Sequence, residues 1–436
     1  MINKITDYRL CKTIAVEDGA ILLPDDIFGS WLSHMEGGVR LAGLFLSVHS
    51  TAVTRPITGG VFKSLKRNLV HLHTDIDVNF RRELIGYIQR LFDRLRGSTA
   101  TLVKTKTKKS SENSIRLPFP DICFNRTKKP SHQDPLSESL QFITWYISFI
   151  EGEIRPDASY QRRITALRAL LIILKSGVDP RVPRKFLSKA AQGQLHWVHG
   201  LQISNIKLIR KLLDMILDPF DDVRDISVLL LQICLGALPE EQSLVAIGQL
   251  PAFIERAEAT LLRTGRADHA DGLARSYSLY YYSALNSQDC TPRGPQEVTK
   301  LDILNQLTKQ LNLTLEVAQK SLSEAVNGQP VHGIFAAIRF VRVTAPHRLQ
   351  TNINRYILDQ DEFYEHVYMM DGAAFKLLHD IHDQVLIGFE TLWLCVKDVL
   401  CADAPEGHVP KDLEEDDSPD TKEILSYAWR GLKEAR

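Results

Sequence analysis

The sequence predicts an all-α chain and, within that class, a HEAT/armadillo-like α-solenoid with a basic disordered loop and an acidic linker. Three observations point there. Apolar residues recur at three- and four-residue steps, one helix-start pattern returns several times, and period-two runs bounded by hairpin turns are lacking. The spacing lines one face of a helix, and the returning pattern is the trace that stacked copies of one unit leave in a chain. The missing alternation argues against a sheet.

Residues 1–97 read as N-terminal helical repeats, with Gly37-Gly38-Val39-Arg40-Leu41-Ala42 the first copy of the helix start. Residues 98–135 break the pattern. Lys104, Lys106, Lys108, Lys109, Arg126, Lys128 and Lys129 accumulate there with prolines 118, 120, 130 and 135, so a flexible basic loop is expected. The apolar island Ile115–Phe124 within it could dock as an extended strip.

Residues 136–401 read as HEAT-like repeats. Ile164, Leu167, Leu170, Leu171 and Leu174 form one stripe, and Arg163-Ile164-Thr165-Ala166-Leu167 is a weaker copy of the helix start. Ile206, Ile209, Leu212, Leu213 and Ile216 form a second stripe; Ile303, Leu304, Leu307 and Leu311 form a third. Phe375, Leu378, Ile381, Val385 and Leu386, continued by Phe389 and Leu392, form a fourth. The clearest helix start is Asp218-Pro219-Phe220-Asp221-Asp222-Val223-Arg224. Pro219 cannot continue the helix before it, Asp221 or Asp222 can cap the next, and Val223 begins a buried face. The copies fall at unequal intervals, so the repeats are degenerate. Residues 402–420 carry Glu414, Glu415, Asp416 and Asp417 with prolines 405, 410 and 419, which suits a solvated linker.

Formal net charge is zero, but residues 1–211 hold 33 basic against 18 acidic side chains and the remainder 20 against 35. Arg155 to Lys211 is the densest basic part, with 12 cations and only Asp157 and Asp179 against them. Such asymmetry points to a polyanion partner, the plainer reading being two halves that neutralise each other. Six scattered cysteines without a C-x-x-C pair describe neither a disulfide framework nor a thiolate metal site. No apolar run approaches the roughly 18 residues of a membrane span, and the first residues lack a signal-peptide core, so a cytoplasmic protein with no membrane partner is expected.

Enzyme signatures are missing: no phosphate-binding glycine loop and no G-x-S-x-G elbow occur. His196 with His199, and His379 with His382, are spaced to share one side of a helix. Among 14 histidines such pairs arise by chance, and a metal would need further ligands. No catalytic residue, metal or cofactor is therefore assigned. Trp197 offers a ring for base stacking or, more plainly, a half-buried core contact. Arg181, Arg184, Lys185 and Lys189 surround the loop opened by Asp179-Pro180, and Lys207, Arg210 and Lys211 follow. Brought onto one edge, they would track an RNA backbone by charge, without reading sequence. The lysines at 104, 106, 108 and 109 would add a contact. A protein-interaction solenoid with no RNA role is the alternative.

Four segments carry a resemblance. Asp218–Arg224 has the form D-P-x-D-D-V-R, with Asp222 and Arg224. Arg266–Arg275 has the form R-x-D-x-A-[DE]-G-x-x-R, with Asp268, Gly272 and Arg275. Pro330–Arg339 has the form P-[LV]-H-G-x-x-x-A-[IL]-R, with His332, Gly333 and Arg339. Ser426-Tyr427-Ala428-Trp429-Arg430-Gly431-Leu432-Lys433-Glu434 has the form S-x-x-WR-x-x-KE. In this order they resemble the thyroid adenoma-associated (THADA) family from about residue 218 onward, and residues 421–436 look like the start of its central block, as in a fragment. The resemblance implies a non-catalytic scaffold that binds tRNA and an FtsJ-like methyltransferase for ribose 2′-O-methylation in the anticodon loop. S-adenosylmethionine is then expected on the partner enzyme. Gly272 and Gly333 suit close helix approach, and Arg275 and Arg339 suit pairing with acidic caps of neighbouring repeats.

Overall fold

The computed structural model describes residues 13–16, 19–22, 25–50, 52–113, 134–193, 197–283, 300–343, 372–400 and 421–435. They divide into two compact units, Met1–Lys211 with Gly236–Leu238 and Leu212–Leu235 with Pro239–Arg436. The boundary near Lys211 coincides with the change in sign of the net charge.

In the first unit, β1 (Thr13–Val16) and β2 (Gly19–Leu22) form a short antiparallel hairpin that pairs Ile14 with Ile21. Strands of four residues are too brief for alternation to reveal. Helices follow: α1 (Asp25–Leu32), α2 (Gly37–Val48), α3 (Gly59–Leu72), α4 (Val78–Asn113), α5 (Pro135–Glu153), α6 (Tyr160–Lys175), α7 (Lys189–Gly193) and α8 (Ile206–Ile216). α1, α3 and α5 pack in one row and α2, α4 and α6 in another, while α1 with α2, α4 with α5 and α5 with α6 pack across. Contact with the next helix but one is how stacked helix pairs bury a continuous core. Leu65, Leu69, Phe92, Phe142, Leu167 and Leu170 are fully buried there. Between α3 and α5 the Phe62 and Phe142 rings stack with centroids 4.8 Å apart.

The returning helix start has a definite local role. Arg40 donates to the carbonyls of His34 at 2.9 Å and Met35 at 2.7 Å. Arg81 donates to Asp75 O at 2.6 Å, and Arg163 to Pro156 O at 2.7 Å and Ala158 O at 2.5 Å. Each guanidinium reaches back five to seven residues to satisfy carbonyls of the turn that leads into its own helix. The recurrence in sequence is thus a recurrence of entry turns.

The second unit contains α9 (Asp221–Ala237), α10 (Glu240–Gly248), α11 (Leu250–Thr264), α12 (Ala267–Ser283), α13 (Lys300–Lys320), α14 (Leu322–Gly328), α15 (Val331–Val343), α16 (Gly372–Leu400) and α17 (Thr421–Ala435). α12, α15 and α17 pack in one row and α13 with α16 in the other, with α13 on α15 and α16 on α17 between rows. Their core joins Leu273, Leu307, Leu311, Phe335, Leu392 and Ala428.

Three expectations change. The stretch from residue 98 is not loop as far as Asn113: α4 continues through it, because Ser98, Thr99 and Ala100 are buried and no proline interrupts before residue 118. In the second stripe Ile206 is exposed although the others are buried. In the fourth, Ile381 and Leu392 are buried as expected, but Phe375, Leu386 and Phe389 are exposed, and α16 adds Val396 and Val399 to its buried face. That helix is apolar on more than one side, so periodicity alone cannot choose its inner face. The Ile115–Phe124 island, the 402–420 linker and His196 lie outside the described residues.

Candidate functional site

The resemblance motifs assemble a ladder of charge through the second unit. Arg224 enters α9 at its first turn and is 5% exposed. It donates to Asp271 at 2.5 Å, to Asp218 O at 2.7 Å and to Asp221 at 3.3 Å. From α12, Arg275 donates to Asp271 and Asp221, both at 2.7 Å, and to Asp225. Its guanidinium also lies 4.9 Å from the centre of the Phe340 ring on α15. Burial opposes the Arg275 charge, yet Asp271, Asp225 and Asp221 outweigh it and raise the pKa. Burial foremost, with Asp221 and Asp271 as like-charged neighbours, pushes the Asp225 carboxyl up despite Arg275. The ladder continues as Arg339 pairs with Glu434 at 2.5 Å, joining α15 to α17. Arg430 donates to the carbonyl of Gly265 at 2.8 Å, the left-handed residue (φ 58°) that ends α11.

The other motif residues support the same packing. A Cβ on Gly272 would come within 2.9 Å of Ile216 O, and one on Gly333 would collide with Leu261. Both glycines therefore serve close helix approach. His332 is 4% exposed, and burial, reinforced by Arg430, pulls its pKa down to about 4. Asp268 makes a surface ion pair with Arg266 at 2.8 Å. Asp222 is half-buried, Lys433 is exposed, and Trp429 is 66% exposed on α17.

Sequence reasoning took Asp221 for a helix cap and expected acidic caps to face Arg275, but did not identify Asp225 or Asp271. Asp221 and Asp271 meet both arginines, and Asp225 meets Arg275. Asp271 is the [DE] of the second motif, so the signal for it was present. Asp221 and Asp225 stand four apart on α9, a spacing that puts both on one helix face.

In the first unit the basic candidates do not all share one environment. Arg181 is not a surface cation: it donates to both Asp179 oxygens, at 3.0 and 2.9 Å, and to Ser204 O at 2.9 Å. Asp179 is fully buried and also accepts from the backbone N–H of Ile203 at 2.9 Å and of Ser204 at 3.1 Å. Burial pushes this carboxyl up, but Arg181 and those amides win and hold it below the usual range. Lys211 likewise turns inward, donating to Glu151 O at 2.6 Å. Arg184, Lys185 and Lys189 stand exposed around the short 3₁₀ turn Arg184–Phe186 and the start of α7. Lys207 and Arg210 are exposed on α8. Lys104 is exposed on α4, and Lys106, Lys108 and Lys109 lie farther along that helix.

Trp197 takes the plainer of its two roles. Its indole N–H donates to Ser176 O at 2.7 Å and its ring lies 6.4 Å from Phe92. Residues 197–200 are not helical, so His199 has no helical partner there. His379 faces Asp383 at 3.7 Å on α16. Among the described residues no cluster of histidine, cysteine and carboxylate could hold a metal, and no helix is long and apolar enough to cross a membrane.

Two family models match the chain. One, described as Trm732, TPR repeats, covers residues 11–225, and the other, described as THADA/TRM732, DUF2428, covers residues 380–436. A curated protein of Schizosaccharomyces pombe, the tRNA (32-2'-O)-methyltransferase regulator trm732, is 26% identical over 416 residues. That is 92% of this chain and 24% of the relative, so the chain spans about a quarter of that protein's length. One solved structure, an engineered protein 12% identical, covers 95% of this chain and 99% of its own with a TM-score of 0.18, too low to bear on the fold.

Proposed function

The chain belongs to the THADA/TRM732 family, and from that premise we propose that it is a non-catalytic scaffold for ribose 2′-O-methylation of tRNA. In this reading the first unit holds tRNA, an FtsJ-like methyltransferase docks on the protein, and that enzyme carries S-adenosylmethionine and the reacting groups. The protein acts in the cytoplasm, where it brings enzyme and RNA together. A fixed, extended surface serves this by turning encounter of two macromolecules into one prearranged event.

One observation carries the reading. The exposed cations Arg184, Lys189, Lys207 and Arg210 make no ion pair with a carboxylate of the described residues, in a unit already rich in positive charge. Cations held in this way are available to phosphates. The S. pombe relative, whose printed name is that of a tRNA methyltransferase regulator, supplies the biological context. The test is co-elution of the chain with the FtsJ-like methyltransferase of its own organism, with and without tRNA, at low and moderate salt. A salt-sensitive three-way complex is expected. Charge reversal of Arg184, Lys185 and Lys189 should weaken tRNA retention at least tenfold while helical content is unchanged, since each phosphate contact contributes to the salt-dependent affinity. Enzyme binding without any tRNA binding would favour the protein-interaction reading, to which exposed Ile387 and Leu394 on α16 and Trp429 on α17 lend themselves.

A further inference from the structure

The row formed by α3 and α5 presents a face of unusual composition. Trp145 and Phe149 on α5 are half-exposed, and their rings stack with centroids 5.8 Å apart and planes 7° from parallel. Lys66 of α3 sets its ammonium 5.9 Å from the Trp145 ring centre, which fixes the two helices' shared edge. One helical step away on α3, Lys63 and Arg67 are exposed. On the other side of the aromatic pair, α5 exposes Gln141, Thr144 and Ser148, all uncharged hydrogen-bonding groups. At the far end of α5, the bond from Lys211 to Glu151 O places α8, with exposed Lys207 and Arg210, beside it.

A core contact would explain a buried aromatic pair, but not a half-exposed one whose indole N–H has no acceptor among the described residues. The contrast with Trp197, whose N–H is held by Ser176 O, is direct. A protein partner would be met by an apolar patch; here the rings are bordered by Lys63, Lys66 and Arg67 on α3 and by Gln141, Thr144 and Ser148 on α5, with Glu138 and Glu151 toward the ends of α5. Flat, half-exposed rings beside a lysine and next to exposed cations and polar side chains are what unstacked bases on an anionic backbone require.

We infer that this face of α3, α5 and the start of α8 binds a single-stranded stretch of RNA, with Trp145 and Phe149 as the stacking platform. Lys63, Lys66 and Arg67 hold the backbone on one side and Lys207 and Arg210 on the other. The site rests on the scaffold reading above and deepens it: the RNA is gripped where it is unpaired rather than along a duplex. Sequence tolerance follows, because every base offers a ring face.

The experiment measures binding of the full chain to tRNA, to an oligonucleotide of its unpaired anticodon loop and to a perfect RNA duplex, across a salt series. Trp145→Leu, which keeps apolar packing against Phe149, should weaken loop-oligonucleotide binding about tenfold, leaving duplex binding and the salt slope unchanged. The double variant Lys63→Gln, Arg67→Gln should lower the salt slope by roughly one unit or more, since each lost phosphate contact on single strands removes about 0.7. Unchanged tRNA and loop binding in Trp145→Leu, with wild-type RNA binding intact, would overturn the platform while leaving the scaffold reading in place. Absence of RNA binding by the unaltered chain at low salt would overturn both. Circular dichroism of each variant confirms that it is folded.

Discussion

The arginines of the second unit and the cations of the first are the same chemistry in opposite settings. Arg224 and Arg275 are almost fully buried and meet Asp221, Asp225 and Asp271 across two helices. Lys63, Arg67, Lys207 and Arg210 stand at the surface of their helices with no ion pair to a carboxylate among the described residues. In the first setting a cation fastens one repeat to the next; in the second it remains available to a polyanion. The difference teaches that a charge count says little until partners are known. The overall zero charge is the sum of a cationic stretch, 33 basic against 18 acidic side chains up to residue 211, and an acidic remainder, 20 against 35.

Breaking the ladder should cost far more than altering the surface. Val223 is completely buried beside the ladder, and Val223→Asp should destabilise the second unit by roughly 4 kcal/mol, the scale for a buried unpaired charge. Hydrogen exchange resolved by segment would show it as lost protection in α9 and α12; retained protection would refute the packing. Arg275→Met comes next, at about 3 kcal/mol, because three carboxylates would be left facing one another with only Arg224 between them. A loss below 1 kcal/mol in denaturant unfolding would mean that solvent screens the cluster.

Acid sharpens the comparison, because among the described residues each unit holds one buried histidine. In the first, His73 shares a 2.9 Å hydrogen bond with the Tyr146 hydroxyl, and burial pulls its pKa to about 3. In the second, His332 is held near 4. Both folded values lie below the ordinary 6.5, so the unfolded chain takes up more protons as pH falls beneath 6.5. Their stabilising contribution is complete above that pH and declines below it, by about 1.4 kcal/mol per pH unit for each group. His332→Gln should flatten the dependence between pH 6.5 and 4 in the second unit alone, and an unaltered slope there would contradict its burial.

The smallest effect is expected at the exposed cations. Lys207→Gln with Arg210→Gln should change stability by less than about 0.5 kcal/mol, as is usual for surface positions. A larger loss would show these side chains to be structural, as Arg181 is.

The helix starts at Arg40, Arg163 and Arg224 were legible because a local constraint, the satisfaction of entry-turn carbonyls within seven residues, must be written locally. The stripe Ile303–Leu311 was legible for the same reason, whereas the helix Tyr160–Lys175 buries Ala166, Ala169 and Ile173 beside its stripe and leaves Leu171 half-buried, so spacing marked only part of its inner surface. By itself, then, the sequence determined the all-helical class, the repeat grammar, the separation of charge near Lys211 and the motifs of the family. Tertiary structure alone decided what those motifs do. It paired Asp271 with Arg224, 47 positions away, and Asp225 with Arg275, 50 away. It turned Arg181 and Lys211 inward, exposed the Phe389 side of α16 and carried α4 through the lysine-rich stretch to Asn113. It also set Lys66 over Trp145, which are 79 positions apart in the chain. Local spacing specifies the helix on which a side chain sits, whereas its partner is chosen by the stacking of repeats, a long-range free energy that no short window of sequence contains.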